Sequence, residues 1–128
     1  MSANDKQVGG SHYKKGGEQH WDLMITYEVP YTLGCATKYL FRWRDKNGIQ
    51  DLTKALHYLE KTIECRLKGV IHDWLAYKIP RTSLAKNIPP YVEERERQII
   101  LKICDNKLGE ALILLQHMIA HETALPKA

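Results

Sequence analysis

Lys38 and Arg42 lie four residues apart with Asp45 three further on, and Asp51, Lys54, Tyr58 and Lys61 follow at steps of three, four and three. On α-helices each set projects from one side, because residues three and four apart lie above one another. If the two helices close into a hairpin, two or three cations, two carboxylates and an aromatic ring share a cleft. Cations of this kind stabilise phosphate charge, a carboxylate can hold Mg²⁺ with water, and a ring can stack on a nucleobase. Charged helix faces are also common as plain solvated surface carrying weak ion pairs.

The surrounding pattern supplies the two helices. The spacing predicts one from about Tyr31 to Arg44, with Leu33, Ala36, Leu40 and Trp43 as its buried stripe and Lys38, Arg42 and Asp45 on another side. DKNG at 45–48 reads as a turn, with Gly48 stopping the helix. A second helix is expected from Ile49 to Leu67, burying Leu52, Ala55 or Leu56, Leu59, Ile63 and Leu67, with Gly69 as its stop. So short a turn makes the pair an antiparallel hairpin, placing Asp51, Lys54, Tyr58 and Lys61 opposite the apolar stripe.

Before the hairpin, residues 1–19 are polar and glycine-rich and read as a mobile arm, and HWDLMITY at 20–27 reads as a short helix that Pro30 ends or succeeds. Residues 70–90 carry three prolines and no sustained period, as in a long connection. A charged helix from Tyr91 to Cys104 follows, with Glu93, Glu94 and Glu96 complementing its positive end. The last helix, from Asn106, is apolar nearly all round, which burial between neighbours or between subunits would explain. The expected fold is therefore all-α: a helical hairpin at 20–69 and a C-terminal helical pair at 91–128, packed on the same domain or on a subunit interface.

At 128 residues with 44% hydrophobic and 27% charged residues, the chain suits one soluble globular domain. A net charge of +4 favours anionic ligands but falls short of a protein that coats nucleic acid. Cys35, Cys65 and Cys104 form no C-x-x-C pair, and no leader-like or membrane-spanning apolar run is present, so a cytoplasmic protein is expected. VGGSHYKKGG at 8–17 is rich in glycine and lysine, yet it lacks the G-x-x-x-x-G-K-[ST] spacing and the preceding strand of a P-loop. Any phosphate binding has to work another way.

GGSHYK at 9–14, WD at 21–22, LGCATKYLFRW at 33–43 and KNGIQDLTKALHYLEKTIE at 46–64 stand in an order that resembles a small phage protein family. The family was first defined without a function and includes the nucleotide kinase of short-tailed coliphages. The resemblance covers roughly the first 65 residues. It implies a kinase without a P-loop that phosphorylates deoxynucleoside monophosphates, chiefly dTMP and dGMP, with Mg²⁺ and ATP or another nucleotide as donor. Carried over by position, Lys38, Arg42 and Lys54 would hold phosphates, and Asp51 would place Mg²⁺ or orient a cation. His12 and Lys14 would close from the arm, Tyr13, Tyr39 or Tyr58 would stack on the base, and Trp21 and Asp22 would complete the binding set.

The residues also admit plainer roles. Trp21 and Trp43 suit core anchors, Tyr39 and Tyr58 can pack the hairpin, and Cys35 suits a buried thiol. His20, His57, His72, His117 and His121 read as incidental. A homo-oligomer completing its site across subunits is expected. The alternatives are a non-enzymatic phage protein that binds nucleic acid or a host factor through RWRDK at 42–46, and an all-α nucleotide pyrophosphatase. The latter gathers carboxylates as paired E-x-x-E motifs, which occur here only as Glu93 and Glu96.

Overall fold

The computed structural model describes residues 19–69 and 86–126, with Ala3 placed as well. Among them are five α-helices and no strand, as an all-α fold requires. They are α1 (His20–Thr26), α2 (Tyr31–Arg42), α3 (Ile49–Leu67), α4 (Glu94–Cys104) and α5 (Leu108–Ala124), with a 3₁₀ turn (Trp43–Asp45) after α2. The expected arm residues His12, Tyr13 and Lys14, and 70–85 of the expected connection, lie outside the described residues.

Pro30 caps α2 from outside, where its missing N–H leaves no helical bond unmade. Leu33, Ala36, Leu40 and Trp43 are all buried, the stripe their spacing predicts. The helix tightens into the 3₁₀ turn one residue before the expected end. Gly48, at φ +60°, closes the turn by donating its N–H to the Trp43 carbonyl at 2.9 Å and also caps the start of α3. Gly69, at φ +72°, ends α3 as expected.

On α3 the buried stripe is Leu52, Ala55, Leu59 and Thr62, which keeps to the side facing α2 and α5. Leu67 is 84% exposed and Ile63 only half-buried, so the stripe ends a turn earlier than its apolar residues suggest. The polar Thr62 fits because its hydroxyl donates to the Tyr58 carbonyl one turn back, at 2.8 Å.

α5 packs on both α3 and α4, and α4 touches α2, so the C-terminal pair closes the core of the hairpin. α4 begins at Glu94 rather than Tyr91, because Pro89, Tyr91 and Val92 form a turn in which Val92 N–H donates to the Pro89 carbonyl at 3.0 Å. Asn106 turns the chain at φ +62° before α5 starts at Leu108. Leu108, Ala111, Leu115 and Met118 are buried against the neighbours, while Ile113 is exposed and Leu114, exposed as well, lines a groove with Glu94, Arg95 and Gln98 of α4.

A cation and tyrosine groove on the hairpin

Antiparallel packing of α2 on α3 brings Tyr39 beside Tyr58, with ring centroids 6.0 Å apart and planes within 18°. Three cations crowd the Tyr39 ring: the Arg42 guanidinium carbon at 4.6 Å, Lys38 Nζ at 4.8 Å and Lys54 Nζ at 5.5 Å from its centroid. A ring face is electron-rich, so it can gather positive charge that the cations would otherwise disperse into water. Tyr31 meets Tyr58 edge-on at 6.4 Å and extends the aromatic row. A hydrogen bond with Cys35 raises the Tyr31 hydroxyl to about 12, so at neutral pH it remains protonated.

Beside this cluster runs an open groove of about 730 Å³, lined by Thr32, Tyr39, Lys54, His57, Tyr58 and Lys61, together with Glu60 and Glu64. Lys54, Tyr58 and Lys61 thus share one side of α3, as their spacing predicts. Lys38 and Arg42 flank Tyr39 from α2. Glu64 is exposed, and its hydrogen bond to Lys68 and the charge of Lys61 lower its pKa, so it stands as an anion between two lysines.

Asp51 departs from its expected place. It is fully buried, one turn before Ala55 on the inner side of α3, and not on the open side with Lys54 and Tyr58. Its two oxygens accept Arg42 Nε and Nη2, both at 3.3 Å, the Asn47 backbone N–H at 3.2 Å and Asn47 Nδ2 at 3.4 Å. A buried carboxylate requires such partners, and the nearby start of α3 supplies a favourable dipole as well. With both oxygens engaged and no exposure, Asp51 does not fit the role of a Mg²⁺ ligand. Among the described residues no group of three or more His, Cys, Asp or Glu is gathered to hold a metal ion.

Trp21 and Asp22 sit on α1, outside the lining of the groove. Trp21 is 46% exposed, which removes it as a core anchor, whereas Trp43 is buried as one. Asp22 accepts the Gln19 N–H at 3.2 Å and so secures the first turn of α1.

His20, which reads as incidental in the sequence, is buried against Phe41 with its Nε2 2.8 Å from Thr37 Oγ1. Burial and the positive charge of Lys38 lower its pKa to about 4, against a raising hydrogen bond to Gly34. Thr32 and His57 were not among the expected site residues. His57 stands on α3 between Lys54 and Lys61, a spacing that puts it on the same side. Thr32 faces α3 seven residues before Tyr39, and no motif marks it.

The two acidic residues of the E-x-x-E motif serve another arginine. Arg44 Nε lies 2.7 Å from Glu93 and 3.0 Å from the buried Glu96, and its guanidinium stacks on Trp43 at 4.4 Å. Partial burial opposes its charge, but the hydrogen bond and charge of Glu96, aided by Glu93 and Glu122, raise its pKa.

A family described as a protein of unknown function, DUF3310, matches residues 8–60. The match takes in α1, α2, the turn and the first part of α3, and it includes every residue carried over by the resemblance, with Lys61 just beyond its end. This segment is similar to a small family of unknown function, while α4 and α5 lie beyond the match. No curated protein and no solved structure matches the chain. No helix among the described residues is long and apolar enough to cross a membrane.

Proposed function

We propose that the chain is a nucleoside monophosphate kinase, holding a deoxynucleoside monophosphate such as dTMP or dGMP in the hairpin groove. The observation that carries this reading is the convergence of Lys38, Arg42 and Lys54 on Tyr39 beside an open groove. In the reaction a phosphate oxygen of the acceptor attacks the γ-phosphorus of ATP, a new P–O bond forms, and ADP leaves. The enzyme's part is to align the two nucleotides and neutralise their oxygens, for which three cations suffice without a covalent nucleophile. Mg²⁺ would come with the donor's own phosphates. Asp51 is then a positioning residue, holding the Arg42 fork beside Tyr39 from beneath.

The geometry favours this over the alternatives. In RWRDK, Arg44 faces Glu93 and Glu96, so part of the charge meant for a nucleic-acid backbone is already met. Glu93 and Glu96 engage Arg44, which leaves the pyrophosphatase reading without its carboxylate pair. The reading includes self-association through α5, where Ile113 and Leu114 remain exposed; sedimentation equilibrium tests it.

The test is to incubate the protein with ATP, Mg²⁺ and each deoxynucleoside monophosphate and to separate the products by chromatography. Diphosphate should form from dTMP or dGMP, and Lys54→Ala should slow it at least about tenfold with helical circular dichroism unchanged. Absence of diphosphate from every acceptor would overturn the reading.

A further inference from the structure

We propose that Thr32 is a specificity-determining residue of the groove, its hydroxyl held as a hydrogen-bond acceptor that reads a donor N–H on the nucleotide base. The inference rests on the kinase reading for the ligand, but its carrying observation is separate: a chain of hydroxyls running from the groove into the core. Thr32 Oγ1 lies 2.8 Å from Thr62 Oγ1, and Thr62 Oγ1 lies 2.8 Å from the Tyr58 carbonyl oxygen.

A hydroxyl has one proton, and a carbonyl oxygen can only accept. Both short contacts are satisfied in only one arrangement: Thr62 donates to Tyr58, and Thr32 donates to Thr62. The reverse direction would leave the oxygens of Thr62 and Tyr58 in contact with no proton between them. Thr62 is fully buried, so no water substitutes for the missing bond. The Thr32 proton is therefore committed inward, and what its oxygen has left for the groove is lone pairs.

Position fits this role. Thr32 lines the same groove as Tyr39 and Lys54. It precedes Tyr39 by seven residues on α2, about 10 Å along a helix axis. With the phosphate at the Lys38, Arg42 and Lys54 end, the base extends past Tyr58 toward Thr32. Thymine and guanine carry a ring N–H beside a carbonyl, which Thr32 can accept. Cytosine and adenine carry a bare ring nitrogen at the matching place, and there it would confront lone pairs. A site that holds its acceptor rigidly rejects the wrong partner more strongly than one whose hydroxyl can turn.

Calorimetric titration of the full chain with dTMP and with dCMP tests the proposal. The wild-type protein should prefer dTMP by about tenfold, the worth of one hydrogen bond. Thr32→Val, which keeps the side-chain shape, should bring the two affinities together while binding itself persists through the phosphate. Thr62→Val, at a residue buried from the ligand, should narrow the ratio too, because Thr32 is then free to turn its proton outward. A purely structural role for Thr62 would shift the melting temperature and leave the ratio alone. Thr32→Ser should retain the preference, and Thr32→Ala repeats the test if valine disturbs the helix. Equal affinities in the wild type, or an unchanged ratio in Thr32→Val, would overturn the role of Thr32 alone. Failure of the wild type to bind either nucleotide would overturn the kinase reading and this inference with it.

Discussion

Arg42 and Arg44 stand two residues apart and are built alike, yet their surroundings differ. Each guanidinium lies over an aromatic ring, Tyr39 or Trp43, and each meets a carboxylate that is almost wholly buried, Asp51 or Glu96. The difference is the balance of charge around the ring. Arg42 shares its surroundings with Lys38 and Lys54 as well as with Asp51, and these three cations gather on a ring that lines the groove. Arg44 faces two carboxylates, Glu93 and Glu96, and its ring is closed into the core. A stacked arginine on a buried acid is a structural joint in both places, and the proposed ligand site is the one where further cations and an open groove adjoin it.

The reach of the two pairs differs too. Asp51 meets Arg42 across the tight turn within the hairpin, whereas Glu96 meets Arg44 from α4, 52 residues away. Replacing Arg42 by Ala should reduce phosphorylation by about a hundredfold or more. It should also destabilise the fold by about 2–3 kcal/mol, since Asp51 is left buried with only Asn47 as partner. Arg44→Ala should destabilise by a similar amount, about 3 kcal/mol, because it strands Glu96, with turnover per folded molecule unchanged. Urea denaturation followed by turnover at matched folded concentration makes the distinction. A large turnover defect in Arg44→Ala would erase the contrast between the two sites.

Much of this was legible in the sequence, and the exceptions have physical reasons. The helical period located both hairpin helices and the α2 stripe, because Leu33, Ala36, Leu40 and Trp43 are apolar and recur at helical steps. It also located the shared side of Lys54, Tyr58 and Lys61. It misplaced Asp51, since a carboxylate at helical spacing looks the same whether solvated or folded under a turn onto an arginine. Thr62 was hidden for the same reason: a polar residue enters a buried stripe only when local hydrogen bonds satisfy it, and periodicity does not register those. The Glu96–Arg44 pair spans too much sequence for any local pattern to reveal. Leu67 fits the apolar spacing of α3 but is exposed in the last turn of the helix, where spacing alone does not tell which positions a neighbour covers.

Lys38, one of the cations around Tyr39, also acts on His20, which gives a second way to weigh the two arginine sites. His20 is held near pH 4 in the folded protein, by burial first and by Lys38 second, against about 6.5 when unfolded. Between those values the unfolded chain binds the extra proton, so stability is full above about pH 6.5 and falls as pH drops toward 4. The whole loss should be roughly 3 kcal/mol, given about 1.4 kcal/mol per pH unit. Chemical denaturation at a series of pH values should show this slope in the wild type and a shallower one in His20→Gln. Lys38→Met should shift the onset to higher stability in acid, since it removes the second cause. Identical profiles in all three proteins would mean that His20 does not sense the cations of the groove.

The mildest change probes how the turn prepares Arg42. Gly48 holds φ at +60°, and a Cβ placed there would meet nothing within 4 Å, so Gly48→Ala is resisted by backbone conformation alone. It should destabilise the protein by about 1 kcal/mol. The strain falls between Asn47 and Asp51, whose hydrogen bonds hold the carboxylate under Arg42. A turn that merely joins two helices would lose stability and nothing else. A turn that also sets Arg42 should lose nucleotide affinity per folded molecule, by a few-fold, while the Arg44 joint, anchored from α4, is untouched. Calorimetric affinity for dTMP measured beside urea stability separates these outcomes, because each role predicts a change in a different quantity.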